Sequence, residues 1–195
     1  MGYMQYAAKQ TKLVPPEPTI VAFFYRKLDV VAFPNPFLLG GGMLRLSASR
    51  AGKWDTRYIV EHERQSGLPT HPHVTLMTIH EYEGHEESML YGELAALISA
   101  MRSRSNQPKV EESEALFDEG TQLFPDLPRA LPTEQRFPVL MLSFLAPQHA
   151  RIFYGCMDGG RLFIMQSKLY SFERKADATV KLFARLLLSR HLVEI

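Results

Sequence analysis

The chain has 195 residues, of which 46% are hydrophobic, and carries a net charge of +1 at pH 7. This length fits one domain with a sizeable core, so neither disulfides nor metal ions are needed to stabilise it. The single cysteine, Cys156, excludes an intramolecular disulfide and a cysteine-based zinc site. No run approaches the ~18–20 apolar residues of a membrane span, and the first residues lack the apolar region of a secretory signal. We therefore expect an intracellular protein, cytoplasmic or nuclear, that does not bind membranes.

The N-terminal part of the sequence predicts an arm followed by strands. Residues 1–18 end in a proline-rich stretch and predict a flexible arm, which leaves 19–195 as a single domain. The segment 19–28 is aromatic and β-branched, which is typical of a strand. Further strands are predicted at 54–64 and 73–82 for the same reason.

A helix and a long loop follow these strands. The segment 86–105 has apolar residues at helical spacing, acidic residues at its start and basic residues at its end, which favours a helix. Its predicted apolar stripe consists of Leu90, Leu94, Leu97, Ile98 and Met101. The segment 105–136 is acidic and contains several prolines, so it predicts a long loop.

The C-terminal third predicts three strands and a second helix. Residues 137–146 form a continuous apolar run, typical of a strand that is covered on both faces. Two more strands flank Asp158 and Gly159, a pair favoured in tight hairpin turns. A helix with one apolar stripe follows, with Asp177 placed at its N-cap. The order of elements predicts an α+β fold: a mixed, largely antiparallel sheet packed by two amphipathic helices.

The predicted hairpin gathers polar side chains at the end far from its turn. If Asp158 and Gly159 are the two loop residues, Arg151 lies opposite Gln166 and His149 lies opposite Lys168. Opposed residues project from the same face of a sheet, so these four side chains would form an anion-binding site. The alternative is that they are the ends of strands emerging into solvent. Asp158 itself lies roughly 25–27 Å from Gln166 along the strand and cannot join such a site.

The helix–strand–strand–strand–helix order with Gln166 and Lys168 on the third strand resembles the PD-(D/E)XK, or restriction-endonuclease-like, fold. In that family a helix Glu, a strand Asp and a Glu/Gln-x-Lys strand share Mg²⁺ and activate water. The resemblance covers about residues 86–190 and places Glu93 as the helix carboxylate. The strand Asp has no match, and Arg151 takes that place. The resemblance therefore implies a catalytically degenerate nuclease-like domain that binds an anionic small molecule, nucleic acid or a protein partner. Residues 148–172 also look like uncharacterised fungal proteins.

The histidine-rich middle of the chain predicts a second candidate site. His71, His73, His80 and His85 lie within a short segment that also carries glutamates. Imidazole and carboxylate groups are ligands of zinc and other transition metals, so this segment could serve a metal-dependent enzyme. The alternative is a polar loop leading into the helix. A third hypothesis is a small-molecule binding protein whose pocket is formed by the aromatic strands of residues 19–60.

Overall fold

The computed structural model describes residues 18–31, 45–46, 54–109, 128–158, 160–174 and 179–189. Within these ranges the chain forms three helices, α1 (Pro18–Tyr25), α2 (Tyr91–Ser105) and α3 (Val180–Leu187). The strands are β1 (Leu28–Val30), β2 (Arg45–Leu46), β3 (Trp54–His62), β4 (Val74–Glu83), β5 (Val139–Ala146), β6 (His149–Asp158), β7 (Arg161–Gln166) and β8 (Tyr170–Ser171). The predicted arm, apart from Pro18, and the proposed N-cap Asp177 lie outside the described residues.

The strands form one mixed sheet in the order β1-β3-β4-β5-β6-β7, with β2 also paired to β3 and β8 to β6. Strands β4 and β5 are parallel, and every other pair is antiparallel. Helix α2 lies in the connection between the two parallel strands. The predicted α+β class, with a mixed and largely antiparallel sheet, is confirmed.

Each face of the sheet packs against its own helices. On one face, Leu97 and Met101 of α2 lie in a core with side chains of the central strands, among them Phe153. On the other face, Phe23 of α1 and Phe183 of α3 belong to a second core. The sheet is therefore covered on both sides, which agrees with the continuous apolar run predicted for β5. None of the described helices is long and apolar enough to cross a membrane.

The first predicted strand is wrong. Pro18 begins helix α1, and of the segment 19–28 only Leu28 belongs to a strand. Proline is favoured at the first helical position because its missing N–H has no helical partner there. Phe23 is buried while Phe24 and Tyr25 are exposed, so of these aromatic residues only Phe23 packs into the core. The described part of the chain thus carries three helices rather than two.

Helix α2 is shorter than predicted, and its buried face includes charged residues. It begins at Tyr91 rather than at residue 86, and it ends at Ser105 as predicted. Ile98, expected in the apolar stripe, is 44% exposed. Glu93 and Arg104 are instead buried at the two ends of the helix. The helix therefore meets the sheet through a small apolar centre with one charge at each end.

The hairpin of β6 and β7 has a different register from the predicted one. Asp158 pairs with Arg161, and Phe153 pairs with Gln166. Each residue of β6 thus faces a β7 residue two positions further along than predicted. Because the side-chain period of a strand is two, this shift keeps every side chain on its predicted face but changes its neighbours. The predicted pairing of Arg151 with Gln166 is wrong.

The predicted pairing at the other end of the hairpin is also wrong, because the short strand β8 pairs with β6 there. His149 lies opposite Ser171 of β8, not opposite Lys168.

The predicted loop at 105–136 is held at both described ends, since Pro108 and Arg129 form an isolated antiparallel bridge. Residues 110–127 of this loop lie outside the described ranges.

Candidate functional site

The polar centre of the domain lies under the first turn of α2. Thr78 of β4, Ser143 of β5 and Arg151 of β6 occupy one row across three adjacent strands. All three are buried, and Ser143 and Arg151 contact Glu93 of α2. Their row therefore forms a polar patch in the face of the sheet that α2 covers.

Arg151 is fully buried, and its guanidinium is held by four hydrogen bonds. Its Nε and Nη2 atoms donate to the two carboxylate oxygens of Glu93, the former at 2.9 Å. Its Nη1 atom donates to the backbone carbonyls of His85 and Ser88, at 2.8 and 2.7 Å. The guanidinium carbon also lies 5.1 Å from the ring centre of Phe153. Arg151 therefore uses at least four of its five N–H donors inside the protein.

Glu93 is satisfied just as completely. Its carboxylate accepts both donors of Arg151, the hydroxyl of Ser143 at 2.7 Å, and the backbone N–H of Leu90 at 2.8 Å. The last bond caps the N-terminus of α2, where a negative charge is also favourable to the helix dipole. An internal carboxylate thus occupies the place where an external anion was expected to meet Arg151.

His80 is buried beside this network. Its Nε2 atom lies 3.1 Å from the hydroxyl of Thr78. Burial lowers the pKa of His80 from its ordinary value of 6.5 to about 4; the charge of Glu93 raises it and that of Arg151 lowers it further. His80 is therefore neutral at pH 7 and adds no positive charge to the site.

The residues present do not fit the Mg²⁺ that the resemblance implies. A Mg²⁺ ion takes oxygen ligands and usually needs carboxylates with free lone pairs. The carboxylate of Glu93 is already bound by Arg151 and Ser143. The side-chain nitrogen of Gln166 donates to the backbone carbonyl of Glu86 at 2.6 Å, and Lys168 lies 5.6 Å from the ring centre of Tyr170. The structure thus pairs Glu93 with Arg151, while Gln166 and Lys168 make other contacts.

The predicted histidine site is not assembled in the described part of the chain. The ring of His71 stacks on that of His62, with centres 4.5 Å apart. Burial lowers the pKa of His73, followed by the charges of His71 and Arg104. His80 belongs to the polar centre, and His85 is exposed. No group of three or more histidine, cysteine or acidic side chains among the described residues could hold a metal ion.

A second buried ion pair fixes the other end of α2. Arg104 donates through Nη1 to Glu61 of β3 and at 2.8 Å to the side-chain oxygen of Gln107. Its Nη2 atom donates to the backbone carbonyl of His71. Glu61 also accepts from Arg64 at 2.7 Å. Helix α2 is therefore bound to the sheet by an ion pair at each end.

A cavity of about 350 Å³ opens near the carboxyl ends of the parallel strands β4 and β5. Its walls are formed by Met77, Ile79, His80, Glu81, Phe144, Leu145, Ala146, Pro147, Gln148, His149 and Phe172. Most of these side chains are apolar, and two are aromatic. The lining contains one acidic residue, Glu81, and no lysine or arginine. The cavity is therefore suited to an apolar group and offers no lysine or arginine to an anion.

Sequence reasoning identified Glu93 and Arg151 but not their pairing. It missed Ser143, Glu61 and Arg104. Ser143 is the single polar residue in the apolar run of β5. A lone polar residue in a buried strand needs a hydrogen-bond partner, and this requirement could have indicated a buried polar contact. Glu61 and Arg104 gave no such signal, because charged residues near the ends of a strand and a helix usually face solvent.

Comparison of the chain with family models, with curated proteins and with solved structures found no match. Interpretation of the site therefore depends on its own residues.

Proposed function

We propose that this chain is a catalytically inactive, nuclease-like domain whose role is binding rather than phosphodiester cleavage. The observation that supports this proposal is the closed pairing of Glu93 with Arg151. In metal-dependent cleavage, clustered carboxylates hold the ion that activates water. Here an arginine stands beside the helix carboxylate and neutralises it, and the arrangement has no second carboxylate among its described contacts.

The expected result of a nuclease assay is no cleavage of single- or double-stranded DNA or of RNA with Mg²⁺ or Mn²⁺. The assay should compare the wild-type chain with Lys168→Ala, because Lys168 is the residue that the nuclease motif would make essential. Both proteins should give the background rate. Robust cleavage by the wild type that Lys168→Ala abolishes would overturn the proposal.

The cavity favours a second candidate function, the binding of a small organic molecule. Its volume of about 350 Å³ lies within the range of small-ligand pockets, and its walls combine apolar surface with a few polar groups. Phe144 and Phe172 can cover an apolar or aromatic body. This pocket lies at the strand ends, and its lining includes none of the residues 19–60 that the sequence analysis assigned to a pocket.

A neutral aromatic probe tests this second candidate. We expect benzyl alcohol to give saturation-transfer NMR signals with the wild-type protein. Ala146→Phe should fill the cavity and remove the signals, whereas Met165→Leu, which lies outside the cavity lining, should keep them. Absence of signals from the wild type, or signals that survive Ala146→Phe, would contradict the assignment.

A further inference from the structure

The outer strand of the β6–β7 hairpin exposes apolar side chains on both faces. Phe163 is 53% and Met165 is 64% exposed on one face, and Leu162 is exposed on the other. On the neighbouring strand, Tyr154 and Met157 are exposed as well. A concentration of large apolar side chains on one surface element is typical of an interaction site rather than of a free surface.

The backbone of β7 also has an open edge. Strand β7 is the last in the sheet order, and no described strand pairs with its outer side. Ser167, next to β7, donates its N–H to the carbonyl of Ile152 in β6. Since backbone groups point alternately to the two sides of an antiparallel strand, Met165 and Phe163 also bond inward. Leu162, Ile164 and Gln166 then direct their N–H and C=O groups outward.

We propose that β7 pairs with β7 of a second copy of this chain to form an antiparallel dimer. In this dimer the two copies are related by a twofold axis and form one continuous sheet. Corresponding faces of the two copies then lie on the same side of that sheet, so residues opposite each other must project from the same face. With Ile164 on the axis, Leu162 lies opposite Gln166 of the second copy. The outward N–H and C=O groups of these residues then form hydrogen bonds with the second copy, so the backbone groups of the open edge gain partners.

This register also matches the side chains. Phe163 lies opposite Met165 of the second copy, twice in the dimer, in the closely spaced pairs of the ladder. Sulfur–aromatic contacts are favourable, and both side chains would leave solvent. Arg161 lies opposite Ser167 of the second copy, so the ladder opposes no like charges. A second copy of the chain therefore fits both the backbone and the side chains of this edge.

The dimer is expected to be weak. A contact between two strands of six residues lies at the small end of protein interfaces, where complexes are transient. Its dissociation constant should fall in the micromolar range. Dimer formation does not depend on whether the domain cleaves nucleic acid, because the contact between the two copies uses only the outer edge of β7.

Sedimentation velocity at increasing protein concentration tests the proposal. Wild-type protein should shift from monomer to dimer across the micromolar range. Met165→Lys should weaken the dimer at least tenfold, since each of two symmetric contacts loses an apolar partner and gains a charge that must be desolvated. Met165→Leu keeps the apolar contact and should remain dimeric. Wild-type protein that stays monomeric, or a dimer that Met165→Lys leaves intact, would overturn the proposal.

Cysteine mixing tests the register itself. Phe163→Cys and Met165→Cys, prepared separately, should form a disulfide-linked dimer under mild oxidation only when mixed, because only then do two new thiols lie opposite each other. Both variants also carry Cys156→Ala, because Cys156 lies opposite Phe163 in the hairpin and would compete for the new thiol within one chain. A mixture that gives no more covalent dimer than either variant alone would contradict this arrangement.

Discussion

Replacing Arg151 with methionine is expected to lower the free energy of unfolding by about 3–5 kcal/mol, because Glu93 would remain buried without its charged partner. The loss can be measured by urea unfolding, with the fluorescence of Trp54, the single tryptophan of the chain, as the probe. Arg136→Met is the matched control. Arg136 forms an exposed ion pair with Asp158 at 2.9 Å, and its loss should cost less than about 1 kcal/mol.

A double variant distinguishes the interaction between Glu93 and Arg151 from the separate effect of each side chain on stability. Glu93→Leu with Arg151→Met removes both charges, so no unpaired charge stays buried, and stability should recover partly toward that of the wild type. A double variant that is as unstable as the sum of the two single variants would show that Glu93 and Arg151 act independently. A single Arg151→Met variant with near wild-type stability would refute the role of Arg151 as the partner of Glu93.

The stability of the protein should fall in acid because of His80. The pKa of His80 is about 4 in the folded protein, where burial is the main cause of the decrease, and it has the ordinary value of 6.5 in the unfolded chain. Between these values the unfolded chain binds more protons than the folded one, so stability decreases as the pH falls. The full difference corresponds to about 3 kcal/mol, lost between about pH 6.5 and pH 4.

Comparison with His80→Gln isolates this contribution. The variant keeps a nitrogen that can contact Thr78 but cannot take up a proton, so its stability should decline less steeply over the same range. His73, whose pKa is also lowered, is unchanged in the variant and cancels in the difference. The unfolding free energy of the wild type relative to that of the variant, measured by urea titration at several pH values, should fall by about 3 kcal/mol between pH 6.5 and pH 4. Parallel pH profiles would rule out His80 as the titrating group.

The sequence allowed most of the sheet to be predicted, because burial imposes a visible pattern on strands. The apolar run at 137–146 and the strands near 54–64 and 73–82 correspond to β5, β3 and β4. The hairpin was located correctly but placed two residues out of register. A shift of two residues preserves the pattern of buried and exposed positions, so hydrophobicity alone does not distinguish the two registers.

The candidate site was less predictable, because its residues break the rules by which a sequence is interpreted. Arg104 was assigned to the basic end of the helix and Glu93 to the carboxylate of a nuclease-like site, and the burial of both depends on partners in distant strands. Arg151 was expected to bind an external anion, since its internal partner is 58 residues away along the chain. Pairs of buried charges are specified by tertiary contacts, and neither partner reveals the other in a single sequence.

The two buried ion pairs of α2 have opposite polarity. The helix contributes the acid at its first turn, Glu93, and the base at its last, Arg104. Their partners, Arg151 and Glu61, lie three strands apart across the sheet, on β6 and β3. A helix docked in the reverse direction would place Glu93 against Glu61 and Arg104 against Arg151, burying two pairs of like charges. The two ion pairs therefore favour the observed direction of the crossover helix over the reverse one.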